Sequence, residues 1–329
     1  MIRFVEHNEV DTDKWDKCVK RSINSTPYAF SWYLDIVVSH WNALILNDYE
    51  AVFPLPTRKK WGVQYAFTPF WVQQLGLISQ TKEGLDRIDD FIAAIPNAYR
   101  FLELNMNHSV SVEDSLNYQL KDNYNYVLPL NKPYHLQKEL YSKNLKRNLK
   151  KADLKGLQLF KHDAPQNLIQ LFRSDKGQSI AHFTEVDYKN IEQIMHVAIN
   201  KHCGEIWMAY DEGNRALAGF FLLFGPKRVV LLFTGNSIEG KDHAAMPFLI
   251  DEFIKTSANS SFLFDFEGSN DENLARFYKS FGAVNQGYQN LKINRSFFRN
   301  KILYIFYMME HQQIGNQFFL LSIQKNYHW

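Results

Sequence analysis

The sequence predicts an α/β protein with mixed α+β sheets, arranged as two tandem lobes. Three observations carry that expectation. The chain has 329 residues, more than one ordinary domain, and its 46% hydrophobic composition is enough for two cores. Segments with the two-residue period of strands alternate with segments of helical period along its length. One order of segments, strand, two helices, three strands, helix and strand, occurs twice.

Ile2 to Val5 alternates like an edge strand, and Asp13 to Arg21 and Ala29 to His40 have helical spacing, with Thr26 or Ser31 near the start of the second. Ala43 to Leu46, Ala51 to Thr57 and Val63 to Phe67 read as a three-stranded meander turned at Asn47, Asp48 and Gly62. Leu85 to Ile95 is amphipathic, and Phe101 to Met106 and Tyr118 to Leu130 close the half as strands. These form a first lobe over residues 1–132.

After Pro133, His135 to Leu154 reads as one long charged helix ending at Gly156, where a helix-terminal glycine belongs. The order then repeats through strand Leu157 to Lys161, helices Pro165 to Lys176 and Tyr188 to His202, and strands Glu205 to Tyr210, Ala216 to Phe224 and Val229 to Thr234. Helix Ala244 to Ser257, strand Phe262 to Glu267, helix Glu272 to Phe281 and strand Val284 to Asn294 complete a second lobe over 133–295. The repeat lies in element order, since the halves share no residue motif.

Composition excludes several classes. Lys and Arg total 37 against 35 Asp and Glu, so no bulk field favours a polyanion and a nucleic-acid partner needs a local patch. Cys18 and Cys203 stand far apart without ligand-spaced neighbours, which argues against a disulfide framework or a metal site and reads as two buried thiols. The N-terminal stretch lacks a secretory pattern and no apolar run is long enough for a membrane span, so the expected location is cytoplasmic.

Phe264-Asp265-Phe266-Glu267-Gly268, followed by Leu274-Ala275-Arg276-Phe277-Tyr278-Lys279-Ser280-Phe281-Gly282, resembles the Asp-Phe-x-Gly strand end and Leu-x-x-Phe-Lys-x-x-Phe-Gly helix of the FemAB family. The basic run Ser142 to Gly156 resembles that family's helix leading into its second lobe. The resemblance implies two tandem GNAT-like lobes, the acyl-CoA N-acyltransferase fold, with the tail 296–329 packed on the first lobe. It implies transfer of an acyl group from acyl-CoA or aminoacyl-tRNA to an amine. Two departures stand out: Tyr278 occupies a position where the family often has lysine, with Lys279 one place later, and Ser237 to Ala245 does not match the GNAT pyrophosphate loop.

Acyl transfer to an amine needs a positioned nucleophile, a base and donors aimed at the oxyanion, and no covalent enzyme intermediate. The sequence agrees, having no Gly-x-Ser-x-Gly elbow. Strand alternation puts Asp265 and Glu267 on one face as candidate bases, and Gly268 permits close backbone approach. Tyr278 or Lys279 is the candidate proton donor, adjacent positions pointing about 100° apart so that one of them reaches. Asn236, Gly240, His243, Ala244 and Ala245 lie where a strand runs into a helix with small first residues, a geometry suited to a phosphate or carboxylate of the donor.

Lys143, Arg147 and Lys150 share a helix face opposite Leu145, Leu149 and Ala152, a stripe able to follow tRNA phosphates or, more plainly, to be solvated. Trp61, Tyr65, Phe67, Phe70 and Trp71 crowd around Pro69 with Gln73 and Gln74 beside them, a core cluster or a cleft wall with Gln73 as a substrate contact. The acceptor is expected to be a small molecule or peptide, with no metal required and the oligomeric state open. The alternative is a noncatalytic module of the same fold that binds a peptide or glycan.

Overall fold

The computed structural model describes residues 1–60, 62–113, 118–174, 183–268 and 270–295. Two compact units contain them: Met1–Tyr124 and residues 286–295 in the first, and Asn125–Asn285 in the second.

The first stretch carries β1 (Ile2–Val5), α1 (Thr12–Arg21), α2 (Ser31–Val37), β2 (Trp41–Leu46), β3 (Ala51–Lys60), β4 (Val63–Phe67), β5 (Ile78–Ser79), α3 (Lys82–Leu85), α4 (Ile88–Ala94), β6 (Tyr99–Asn105) and β7 (Tyr118–Asn123). The second carries β8 (Asn125–Pro129), α5 (Tyr134–Glu139), α6 (Lys143–Asp153), β9 (Gln158–Lys161), α7 (Pro165–Phe172), α8 (Glu185–Asn200), β10 (Gly204–Tyr210), β11 (Ala216–Phe224), β12 (Arg228–Asn236), α9 (Ile238–Asp242), α10 (Ala245–Thr256), β13 (Leu263–Gly268), α11 (Glu272–Lys279) and β14 (Val284–Asn285). The returning chain forms β15 (Tyr288–Asn294).

Local chemistry sets many of these boundaries. Asp11 accepts from Lys14 N to cap α1, and Thr184 with Asp187 forms a reciprocal capping box at α8. Asn47, at φ 50°, and Gly62, at φ 80°, turn the first meander in the left-handed region that those residues tolerate.

The two sheets have one plan. In the first the order is β1-β2-β3-β4-β6-β15-β7, with β5 beside β3; in the second, read from its other end, it is β9-β10-β11-β12-β13-β8-β14. Each begins with four antiparallel strands and then makes one parallel pair, β4 with β6 or β12 with β13. Antiparallel pairs complete both.

The sixth position of each sheet is filled from the far half of the sequence. β15 inserts between β6 and β7, and β8 inserts between β13 and β14. The lobe boundary expected after residue 132 therefore falls after Tyr124, because β8 hydrogen-bonds to β13 and not to β7. The strand expected over 284–294 is likewise two strands in different sheets.

In the first unit, Phe53, Leu55, Ala66, Leu102, Leu104 and Leu291 pack against Phe91 and Ile92 of α4. In the second, Phe253 of α10 lies against Trp207, Phe220 and Phe264 of the sheet, with ring centroids 4.7 Å apart at Phe264. A truncation such as Phe253→Ala would cost about 3–5 kcal/mol, the ordinary result of deleting a buried ring.

The long helix expected from His135 to Leu154 is broken into α5 and α6. Ser142 stops it: its side chain accepts from Leu145 N at 3.1 Å, and its own N–H donates to Ser280 O at 2.9 Å. The strand ending the first half breaks at Tyr124, and α9 intervenes before α10 because Ser237 caps it by accepting from Gly240 N at 2.9 Å. Residues 296–329 and Trp61 lie outside the described residues, as does the expected docking of that tail.

Candidate active site

In the second unit the parallel pair opens at one end. β12 and β13 pair at Arg228 with Leu263, Val229 with Phe264 and Val230 with Asp265. Beyond Val230, β12 continues to Asn236 and β13 to Gly268 without a further rung between them. In the first unit the corresponding end is occupied by the chain itself: Thr68 N donates to Glu103 O at 3.0 Å, and Leu75 N donates to Asn105 O at 2.8 Å. Among the described residues, the open parallel end thus belongs to the second unit.

Asp265 and Glu267 stand at this end. Both are buried, and the register against β8 shifts between Asp265 and Gly268, so a bulge interrupts the strict alternation expected of this strand. Glu267 adopts φ 63°, a left-handed conformation costing a glutamate about 1–3 kcal/mol. Asp265 holds it there, with Oδ1 accepting from Glu267 N at 2.8 Å.

The other oxygen of Asp265 pairs with Arg228, whose side chain is 6% exposed against 2% for Asp265. Both carboxylate oxygens of Asp265 are thus engaged. Arg228 has no counterpart in the expectations from sequence. Its signal is the second cation of the pair Lys227-Arg228, which opens the apolar strand Val229-Val230-Leu231-Leu232-Phe233.

Tyr278 and Lys279 diverge as adjacent helical residues must. Tyr278 points inward, its ring 4.7 Å from that of Phe266, while Lys279 is exposed with Nζ 5.3 Å from the centre of the Tyr126 ring. Burial first, then the charges of Glu267 and Asp265, push the Tyr278 phenol far above its ordinary ionisation range. It keeps its proton and can act as a donor. Of the two candidates, Tyr278 is the one beside the carboxylates.

The loop after β12 places Asn236 with its Oδ1 buried and unpartnered, and His243 with a buried, unpartnered Nδ1. Gly240 lies flat against β11: a Cβ there would meet Leu217 O at 2.1 Å and Asn236 Oδ1 at 2.6 Å, so close packing alone demands glycine. Ala244 is left-handed at φ 56° and starts α10 without a side-chain cap, and Ala245 is fully buried.

On α6, Leu145, Leu149 and Ala152 are buried, whereas Lys143, Arg147 and Lys150 are exposed and form no ion pair among the described residues. Gln73 belongs to the first unit. It is buried, its side chain accepts from Gln74 Nε2 at 2.7 Å and its carbonyl accepts from Asn105 Nδ2 at 2.9 Å. The structure therefore gathers Asp265, Glu267 and Tyr278, sets Lys279 outward, and puts Gln73 in the other unit.

Cys18 is buried and Cys203 half-buried, and burial raises both thiols above their ordinary range. No group of three metal-binding side chains occurs among the described residues, and no described helix is long and apolar enough to cross a membrane.

No family model matches the chain, and no curated protein matches it. Solved structures do. FemX aligns with a TM-score of 0.65 at 13% identity, over 90% of this chain and 98% of that one. A conserved protein of unknown function from Bacteroides thetaiotaomicron aligns at 0.56 and 10% identity, over 89% and 100%. The C-terminal domain of a putative lysylphosphatidylglycerol synthetase from Agrobacterium fabrum aligns at 0.55 and 10% identity, over 92% and 96%. At these identities the likeness establishes the fold alone: two mixed α/β units in one chain, arranged as in FemX.

Proposed function

We propose that this chain moves an acyl or aminoacyl group from a thioester or aminoacyl-tRNA donor to the amine of a small-molecule or peptide acceptor, with the second unit carrying the reaction. The observation that carries the reading is the open end of β12 and β13, where a strained, buried Glu267 stands beside a protonated Tyr278. Strain at a buried carboxylate is kept where surrounding structure over-determines it, and it marks functional sites. The resemblance of 264–268 and 274–282 to the FemAB motifs supports the same reaction class.

In this scheme Glu267 takes a proton from the acceptor ammonium, and the freed amine attacks the donor carbonyl. Tyr278 donates a hydrogen bond where negative charge develops. Collapse of the tetrahedral species breaks the bond to the donor's sulfur or ribose oxygen and forms the amide, and the proton that the attacking nitrogen gives up passes to that leaving atom. Asn236, His243 and the uncapped start of α10 provide the polar end for the donor, and the α6 stripe of Lys143, Arg147 and Lys150 gives a polyanionic donor its phosphate contacts.

A noncatalytic module that holds a peptide or glycan is favoured by one observation, the near-complete burial of Tyr278 at 2% exposure. Incubation of the chain with labelled acetyl-CoA and, separately, with labelled aminoacyl-tRNA in the presence of amine acceptors distinguishes the two. Label passing to an amine from one donor supports transfer. Binding without label movement from either donor supports the module.

A further inference from the structure

One face of the first sheet holds two buried acceptor atoms that have no donor. The register of β6 and β15 sets Glu103 opposite Lys292 and Asn105 opposite Asn290, so these four side chains share a face. Leu102, Leu104, Leu291 and Ile293, on the alternate positions, fill the core behind them.

Lys292 Nζ meets Glu103 Oε1 at 2.8 Å, which leaves Glu103 Oε2 buried and unpartnered. Asn290 Oδ1 is buried and unpartnered as well. The orientation of that amide is fixed by its neighbours. Asn105 Nδ2 donates to the Gln73 carbonyl at 2.9 Å, and a carbonyl can only accept, so the Asn105 amide cannot be turned over. Asn105 Oδ1 therefore faces Asn290 and accepts from its Nδ2 at 2.8 Å, which commits Asn290 Oδ1 to the open side.

Buried polar atoms without partners are uncommon and costly. Here both are acceptors, one carries charge, and they occupy diagonal positions on adjacent strands. A phosphate or carboxylate would bring only more lone pairs. What satisfies the pair is a group rich in donors and positive in charge. The face comes to the surface at its rim, where the side chains of Glu103 and Lys292 are 17% and 26% exposed.

We propose that this face of the first unit binds a hydroxylated amine, its ammonium on Glu103 Oε2 and a hydroxyl on Asn290 Oδ1. The site stands whether or not the chain is a transferase, because it rests on the first unit alone. Three probes separate the contributions of the two groups: 2-amino-1,3-propanediol has both, glycerol lacks the ammonium and isopropylamine lacks the hydroxyls.

Calorimetric or NMR titration of the full chain should show the aminodiol binding at least about fivefold more tightly than the other two probes. Glu103→Gln and Asn290→Ala should each weaken it about tenfold. Lys292→Met removes the competing cation and should tighten it, a gain that a misfolded variant cannot imitate. The proposal is overturned if the aminodiol does not bind, if the three probes bind equally, or if Lys292→Met weakens binding as the other substitutions do.

Discussion

Arg228→Met would leave the Asp265 carboxylate buried without its guanidinium, in a setting where the two side chains are only 6% and 2% exposed. Breaking a buried ion pair from one side costs about 3–5 kcal/mol, because the remaining charge has neither water nor partner. The damage also reaches Glu267, whose left-handed backbone depends on the 2.8 Å hydrogen bond to Asp265 Oδ1. Urea unfolding of three proteins measures this: the parent, Arg228→Met, and Arg228→Met combined with Asp265→Asn. Asparagine keeps an acceptor for Glu267 N while removing the stranded charge, so the double variant should recover at least half of the loss. A single-variant loss below about 1 kcal/mol, within the range of ordinary surface changes, would refute the reasoning. So would a double variant no more stable than the single one.

Three further outcomes follow from the second unit. Ser142→Ala removes the cap of α6 and should lower stability by about 1 kcal/mol, read as a shift in the urea midpoint. Asp251 accepts from Tyr134 and Tyr141, yet burial outweighs those bonds and raises its carboxyl above the ordinary range. The folded state therefore holds this proton more tightly than the unfolded one, so its stabilising contribution is complete below about pH 4 and is lost as pH rises through the higher folded value. Thermal melts across that window should show Asp251→Asn gaining on the parent as pH rises; an unchanging difference would contradict the assignment. Replacing Lys143, Arg147 and Lys150 together by glutamine should reduce the slope of log affinity for tRNA against log salt by about 2–3, and an unchanged slope would remove α6 from that contact.

Much of the fold was legible because its signals are local. The first meander shows in the turn formers Asn47 and Gly62, which the structure places at positive φ, and the capping of α11 by Asp271 shows in Asn270-Asp271 before an apolar helical repeat. Strand exchange was not legible: Asn123 to Asn125 and Asn285 to Gly287 hold turn formers, but a turn does not say which sheet the next strand enters, and only pairing partners far away in sequence decide where β8 and β15 join. The same limit hid Arg228, which meets Asp265 across 37 positions, and Lys292, which meets Glu103 across two strands. At Glu267 the local rule misled, since Gly268 is the residue suited to a left-handed turn and its neighbour takes that conformation under the hold of Asp265. The side-by-side pair Tyr278 and Lys279 was separable only once the helix had a buried face.

Single-turnover transfer with whichever donor the chain uses, compared between the parent and Glu267→Gln, tests the assignment of chemistry to the open end of β12 and β13. A general base of this kind contributes about 10²–10⁴ in rate, so the substitution should slow transfer by at least about a hundredfold while donor binding and the unfolding midpoint stay near those of the parent. Transfer at the parental rate by a folded Glu267→Gln protein would contradict it.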